Sequence, residues 1–161
     1  MPQTSNLQRA KAFLIIPMKI GTIQKISLID YPGKISAVIG TQGCNMHCFW
    51  CHNCYLIPHD YSPSSQPIDE DDFFQFLNER VNFLDAVVIS GGEPTLHADL
   101  LEFCERIKVL GFYVKLDTNG TNPAMLHELI DNSLLDYVAM DIKTDAEQYD
   151  TLGRETFEMD D

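Results

Sequence analysis

Thr41-Gln42-Gly43-Cys44-Asn45-Met46-His47-Cys48-Phe49-Trp50-Cys51-His52-Asn53-Cys54 follows directly on an apolar stretch, Ile35 to Ile39. Cys44, Cys48 and Cys51 stand at C-x3-C-x2-C spacing in what reads as a loop. Thiolates so spaced can converge on one metal centre, and iron–sulfur cubes are held by short cysteine runs of this kind. A cube has four irons, so three ligands leave one iron open. An open position is where a metal centre does chemistry rather than only hold structure. Cys54 lengthens the run to C-x3-C-x2-C-x2-C. Four cysteines could instead close a structural zinc site or a fully ligated cluster. Spacing alone leaves both readings open, and the rest of the chain supplies the context.

Upstream of the loop, Lys19 to Ile29 alternates in part, with Ile20, Ile23 and Ile26 among polar residues. Asp30-Tyr31-Pro32-Gly33 is a turn signal, and Lys34 to Gly40 is rich in β-branched residues. Together they predict a β-hairpin whose second strand delivers the cysteine loop. Downstream, Ile57 to Pro67 reads as loop. Asp69 is placed as an N-cap, with Glu70, Asp71 and Asp72 at the positive end of the following helix. Phe73, Phe76, Leu77, Arg80, Val81 and Leu84 continue it at helical spacing, and Phe73, Phe74, Phe76 and Phe83 read as core.

Three strand–helix steps follow. Ala86 to Ser90 is a short apolar run ending at Gly91-Gly92-Glu93-Pro94. Asp99 to Leu110 is helical, closed by Gly111, with Cys104 as an inert core thiol on its apolar side. Phe112 to Leu116 ends at Asp117-Thr118-Asn119-Gly120. Asn122-Pro123 opens the next helix, and Leu135 to Ile142 forms a last strand running to Asp141 and Lys143. Strands alternating with helices predict an α/β fold with a parallel sheet. In such folds chemistry gathers at the carboxyl ends of the strands. The cysteine loop, Gly-Gly-Glu-Pro, the Asp117 segment and Asp141/Lys143 each fall at a carboxyl end. That coincidence favours the open-cluster reading over a closed structural site.

C-x3-C-x2-C with Trp50 directly before the third cysteine resembles the cluster loop of the radical S-adenosylmethionine (SAM) enzymes. Gly91-Gly92-Glu93-Pro94 is similar to that superfamily's second signature. Leu28-Ile29-Asp30-Tyr31-Pro32-Gly33-Lys34 and Thr41 to Asn45, with His52-Asn53, resemble the activating proteins of glycyl radical enzymes. The nearest branch is the activating protein of anaerobic ribonucleoside-triphosphate reductase. The likeness runs from about Gly21 to about Gly153, and Cys54 departs from it, since relatives more often carry proline there.

The resemblance implies a partial (βα) barrel of the radical SAM type with an N-terminal β-hairpin. It implies a 4Fe-4S cluster on Cys44, Cys48 and Cys51. Trp50, Gly91, Gly92, Glu93, Pro94, Asp117, Asp141 and Lys143 would then be SAM-binding. The Gly-Gly-Glu-Pro segment would take the methionine amino group, offering carbonyls and a carboxylate to an ammonium. In the pyruvate formate-lyase type of activating enzyme, the positions of Asp117 and Asp141 hold a monovalent cation near the SAM carboxylate, and that of Lys143 pairs with SAM. Electron transfer would cleave SAM to methionine and a 5′-deoxyadenosyl radical, which takes hydrogen from a glycine of a glycyl radical enzyme. A flavodoxin- or ferredoxin-type donor would supply the electron. Other readings are another radical SAM enzyme, of the pyruvate formate-lyase activating type or one acting on a small substrate such as a 7-carboxy-7-deazaguanine synthase, or a noncatalytic cysteine-rich metal-binding domain.

Bulk properties bound these readings. At 161 residues the chain reads as a mobile N-terminal segment, 1–18, and a radical SAM domain, 19–161. No apolar run approaches the roughly 20 residues that span a bilayer, so no membrane contact is expected. Its five cysteines are odd in number and tightly spaced, which favours metal ligation in a reducing cytoplasm over disulfides. The net charge is −13, with the acidic excess beyond His59, which argues against nucleic-acid binding. His47, His52, His59, His97 and His127 receive no catalytic step, and there is no Ser/His/Asp arrangement. Fewer strand–helix units are readable than in relatives, so the barrel is expected to be truncated. Either its edge is covered by a second copy of the chain or by the partner enzyme, or the chain is a truncated and weakly active form.

Overall fold

The Asp30–Gly33 turn does reverse the chain. Ser27 Oγ donates to the Asp30 carboxylate, and Gly33 takes the left-handed φ of 72° that a side chain would resist. In the computed structural model, which describes residues 18–57 and 66–152, this turn joins β1 (Ile20–Ser27) to β2 (Ser36–Thr41). The two pair antiparallel, Ile23 opposite Ile39. Then follow α1 (Glu70–Asn78), β3 (Ala86–Gly91), α2 (Leu100–Val109), β4 (Tyr113–Thr118), α3 (Pro123–Asp131), β5 (Tyr137–Met140) and α4 (Tyr149–Leu152). The sheet runs β1-β2-β3-β4-β5, and every pairing after the hairpin is parallel. This is the α/β architecture expected, a hairpin leading into a parallel sheet. The expected N-terminal segment up to residue 17, His59 with most of the Ile57–Pro67 loop, and the tail from Gly153 lie outside the described residues.

The parallel register sets the site. Gly40 lies opposite Ser90 and Thr41 opposite Gly91, so the cysteine loop and the Gly-Gly-Glu-Pro turn leave the sheet side by side. Side chains alternate across each strand. Ala37, Ile39, Val87, Ile89, Val114 and Leu116 face one way and pack against Phe73, Leu77, Leu100, Phe103, Ile107 and Leu129 of the helices. Phe73 and Phe103 stack with centroids 5.6 Å apart, and Phe74 meets Phe103 edge-on at 5.2 Å. Cys104 is fully buried in this layer, and burial pushes its thiol up to about 12. On the opposite face, Tyr31 folds back from the turn against Ala86 and Val88.

Helix starts fall where capping chemistry puts them. The Asp69 carboxylate accepts from Asp71 N at 2.8 Å, and Asn122 accepts from Met125 N at 3.3 Å ahead of Pro123. Two expectations need correction. The first helix stops at Asn78, and the chain then turns through Arg80 so that Leu84 is buried while Phe83 is 58% exposed. Phe83 is therefore not core. The reason is the start of β3: Asp85 accepts from Ile35 N at 2.8 Å, which pulls the chain back to the sheet. The last strand is also shorter than Leu135 to Ile142. Asp136 accepts from Val114 N at 2.7 Å and pairs with Lys108, so it caps the strand rather than joining it, and Ile142 is exposed.

Replacing Phe103 by Ala removes the ring shared by both aromatic contacts. The expected cost is about 3–5 kcal/mol, read as a lower urea midpoint with an unchanged slope. A loss below about 1 kcal/mol would contradict this account of the helical layer.

Candidate functional site

The cysteine loop leaves β2 and closes on itself at once. Gly43 adopts φ 92°, and its N–H donates to the Leu56 carbonyl at 2.9 Å. Between these anchors Cys44 is buried and Cys48 and Cys51 are partly so, packed with Met46, Ile57 and Tyr149. All three thiols line one cavity of about 210 Å³. Cys54 does not. It is exposed and begins a short 3-10 turn, Cys54–Leu56. Burial raises the pKa of Cys44 and of Cys48, so both thiols stay protonated until a metal displaces the proton. Among the described residues no three His, Cys, Asp or Glu side chains stand preassembled in metal-ligating geometry. The donor set, three thiols lining one cavity, suits an iron–sulfur cluster better than a hard cation.

Beside the loop, the Gly-Gly-Glu-Pro turn is bonded to it through backbone. Gly92 N donates to Thr41 O at 2.9 Å and Glu93 N to Gly43 O at 2.7 Å. The approach is close: a Cβ on Gly92 would fall on the Gly43 carbonyl, and one on Gly91, at φ 113°, would strike the Gly40 backbone. Glu93 is fully buried. Its Oε1 accepts from Thr95 N at 3.1 Å, Thr95 Oγ1 at 2.5 Å and Thr118 Oγ1 at 2.7 Å, while Oε2 accepts from Asn119 N at 2.7 Å. The carboxylate thus ties the end of β3 to the end of β4. Asn119 Nδ2 continues the link to Asn45 Oδ1 at 3.0 Å, inside the cysteine loop.

Asp117, Asp141 and Lys143 line the same cavity. Asp141 N donates to Thr118 O at 2.9 Å, which seats β5's end against β4's. Lys143 Nζ meets Asp141 Oδ2 at 2.8 Å, and the Lys143 N–H donates to Tyr149 Oη at 3.1 Å. Burial disfavours the Lys143 ammonium, but the hydrogen bond and charge of Asp141 outweigh it and hold its pKa above the ordinary lysine value. Asp117 Oδ1 lies 2.6 Å from Lys115 Nζ, an ion contact without hydrogen-bond alignment.

Every residue singled out from the sequence lines this cavity except Pro94, which is buried and starts the Pro94–Leu96 turn behind it. Trp50 borders the cavity with its edge against Phe49, centroids 4.5 Å apart, and His52 lines it too. His97 is buried, its Nε2 3.1 Å from Gln42 O, and burial lowers its pKa. Sequence reasoning missed Lys115 and Tyr149, and it quoted Asn45, Asn53 and Asn119 within their motifs without giving them a role. Asn53 Nδ2 donates to Gly91 O at 3.3 Å, bracing the turn from the cysteine side. Lys115 did carry a signal: a lysine inside an apolar strand, two residues before Asp117, shares that residue's face.

The Radical SAM superfamily model matches residues 38–159. A Methanocaldococcus jannaschii protein assigned by name as a glycyl-radical enzyme activating enzyme is 46% identical over 132 residues, covering 81% of this chain and 52% of that protein. A 7-carboxy-7-deazaguanine synthase of Halobacterium salinarum is 32% identical over 89 residues, 55% of this chain and 33% of that one. Among solved structures, QueE from Escherichia coli superposes with TM-score 0.50 at 24% identity, covering 65% of this chain and 53% of the other, which shows the fold alone. The chain spans about half the length of the first of these relatives and a third of the second.

Glu93→Gln tests the buried latch. A carboxamide must turn an NH2 toward donors whichever way it sits, so a loss of about 2–3 kcal/mol is expected in urea unfolding. A change under about 0.5 kcal/mol, the size typical of surface substitutions, would contradict the bonding described.

Proposed function

We propose that this chain, which belongs to the radical SAM superfamily, acts as an activase that generates a glycyl radical on a partner enzyme. The observation that carries the proposal is a single cavity with three functions on its walls. Cys44, Cys48 and Cys51, the Gly91–Gly92 turn, and Asp117, Asp141 and Lys143 all line it. Cys54 lies outside it, which favours a three-cysteine cluster with one open iron over a closed four-cysteine site. The activating branch is favoured by the Leu28–Lys34 and His52-Asn53 segments and by the name of the M. jannaschii relative.

Each wall then has a role. The three thiolates hold the 4Fe-4S cluster. The Gly91–Gly92 carbonyl edge, held in shape by Glu93 and Pro94, faces the SAM amino group. Lys143 answers the SAM carboxylate, and Trp50 offers an aromatic face at the mouth. When bound, the cluster would supply the electron for reductive cleavage of SAM, releasing methionine, and a hydrogen atom would pass from a glycine of the partner to the 5′-deoxyadenosyl group. The protein's part is to orient the pieces and keep water out. Anaerobic ribonucleoside-triphosphate reductase is the partner we assign, with a flavodoxin- or ferredoxin-type donor, in the cytoplasm. Among the described residues no helix is long and apolar enough to cross a membrane.

Anaerobic reconstitution tests the reading. The chain is expected to take up about four irons with matching sulfide, and to convert SAM to 5′-deoxyadenosine and methionine under reduction. Ala at Cys44, Cys48 or Cys51 should abolish both, while Cys54→Ala keeps them. Cluster loss only in Cys54→Ala, or bound zinc without sulfide, would overturn the assignment. Glycine-centred radical on the reductase separates the activase from a small-substrate enzyme.

Lys143→Ala should weaken SAM binding about tenfold or more while leaving Tm within about 2 °C, because its ion pair with Asp141 is partly exposed. A large fall in Tm with unchanged SAM affinity would make Lys143 structural.

A further inference from the structure

The resemblance places a monovalent cation between Asp117 and Asp141, and the residues present do not fit one. Both carboxylates already have an ammonium at contact distance, Lys115 at 2.6 Å and Lys143 at 2.8 Å. We infer that Lys115, paired with Asp117, does the work of that cation, so that this chain binds SAM without a metal ion at the acidic pair. The inference rests on the SAM reading above and makes Lys115 a positioning residue, acting through Asp117.

Strand alternation puts Lys115 and Asp117 on the sheet face away from the helices, while Val114 and Leu116 enter the helical core. Lys115 is 8% exposed. A buried ammonium is kept only with a counter-charge. Among the described residues that counter-charge is Asp117, and the other neighbour is the face of Tyr137, its register partner, 5.8 Å from Nζ. A metal ion on Asp117 Oδ1 would strand that ammonium in the sheet. The oxygen makes no aligned hydrogen bond, yet the place a cation would take beside it is filled by Nζ. On the other side, Asp141 is hydrogen-bonded to Lys143, whose backbone is pinned by Tyr149. In the chain before SAM enters, two carboxylates face two ammoniums, so neither carboxylate needs a metal ion for its counter-charge.

The reconstituted chain is titrated with SAM in tetramethylammonium chloride and in potassium chloride at equal ionic strength, and Tm is recorded in both salts without SAM. The wild-type chain is expected to bind SAM equally, within about twofold, and to melt at the same temperature. Lys115→Ala, which empties the ammonium's place, should bind SAM about tenfold more weakly in tetramethylammonium and recover as potassium is added. Lys115→Met, which fills that place without charge, should lose affinity with no recovery. A structural role alone would give no potassium-specific rescue. A potassium requirement in the wild-type chain overturns the inference, as does a Lys115→Ala chain that binds SAM normally in both salts. The wild-type arms decide even where a variant fails to fold. If the wild-type chain binds no SAM in either salt, the SAM reading fails instead. The melting comparison then judges the lysine: a potassium-dependent rise in wild-type Tm counts against it, and equal Tm supports it.

Discussion

Four donors converge on the Glu93 carboxylate beneath the site, from Thr95, Thr118 and Asn119. Its own backbone N–H holds Gly43, the neck of the cysteine loop. A charge this deep is tolerable only when fully hydrogen-bonded. Because it is, β3's end, β4's end and the cysteine loop are fixed to one another. Everything at the rim inherits its position from that point. Gly91 and Gly92 fit against Gly40 and Gly43 only because no side chain intervenes. Asn119 reaches Asn45 only because its backbone is held by Glu93 Oε2. A carboxylate in a turn of this family could serve a ligand directly; here most of its bonding capacity goes to the protein.

Charge is arranged by the same economy. The acidic half of the rim is answered within the chain, by Lys115 and Lys143, and burial holds the Cys44 and Cys48 thiols above their ordinary pKa. Asp117 and Asp141 therefore have their counter-charges before any cofactor enters. What remains unfilled is chemistry the polypeptide lacks: among the cavity's walls stand thiols, carbonyls and ion pairs, and no activated nucleophile.

Much of this was legible in the residues alone. The Pro-Gly turn, the Asp69 and Asn122 caps and the strand–helix alternation give the hairpin and the parallel sheet, because each is a local signal read within a few residues. The rim motifs were legible for the same reason, each ending a strand. What was not legible depends on register. The Asn45–Asn119 bond joins residues 74 apart in the chain, and two of Glu93's four donors, Thr118 Oγ1 and Asn119 N, come from the end of the neighbouring strand. No pattern within one element announces such contacts. The length of the first helix failed because apolar spacing continues past Asn78 while Asp85 already belongs to the sheet. Phe83 misled for the same reason, an aromatic on a helical period that the chain no longer follows.

The central claim is that the three cysteines of this docked loop leave one iron open to SAM. The electron paramagnetic resonance spectrum of the reduced, reconstituted chain, recorded before and after SAM is added, tests it most directly. The account predicts a reduced-cluster signal whose g-values shift on SAM addition. A signal indifferent to saturating SAM, as a fully ligated cluster would give, would contradict it.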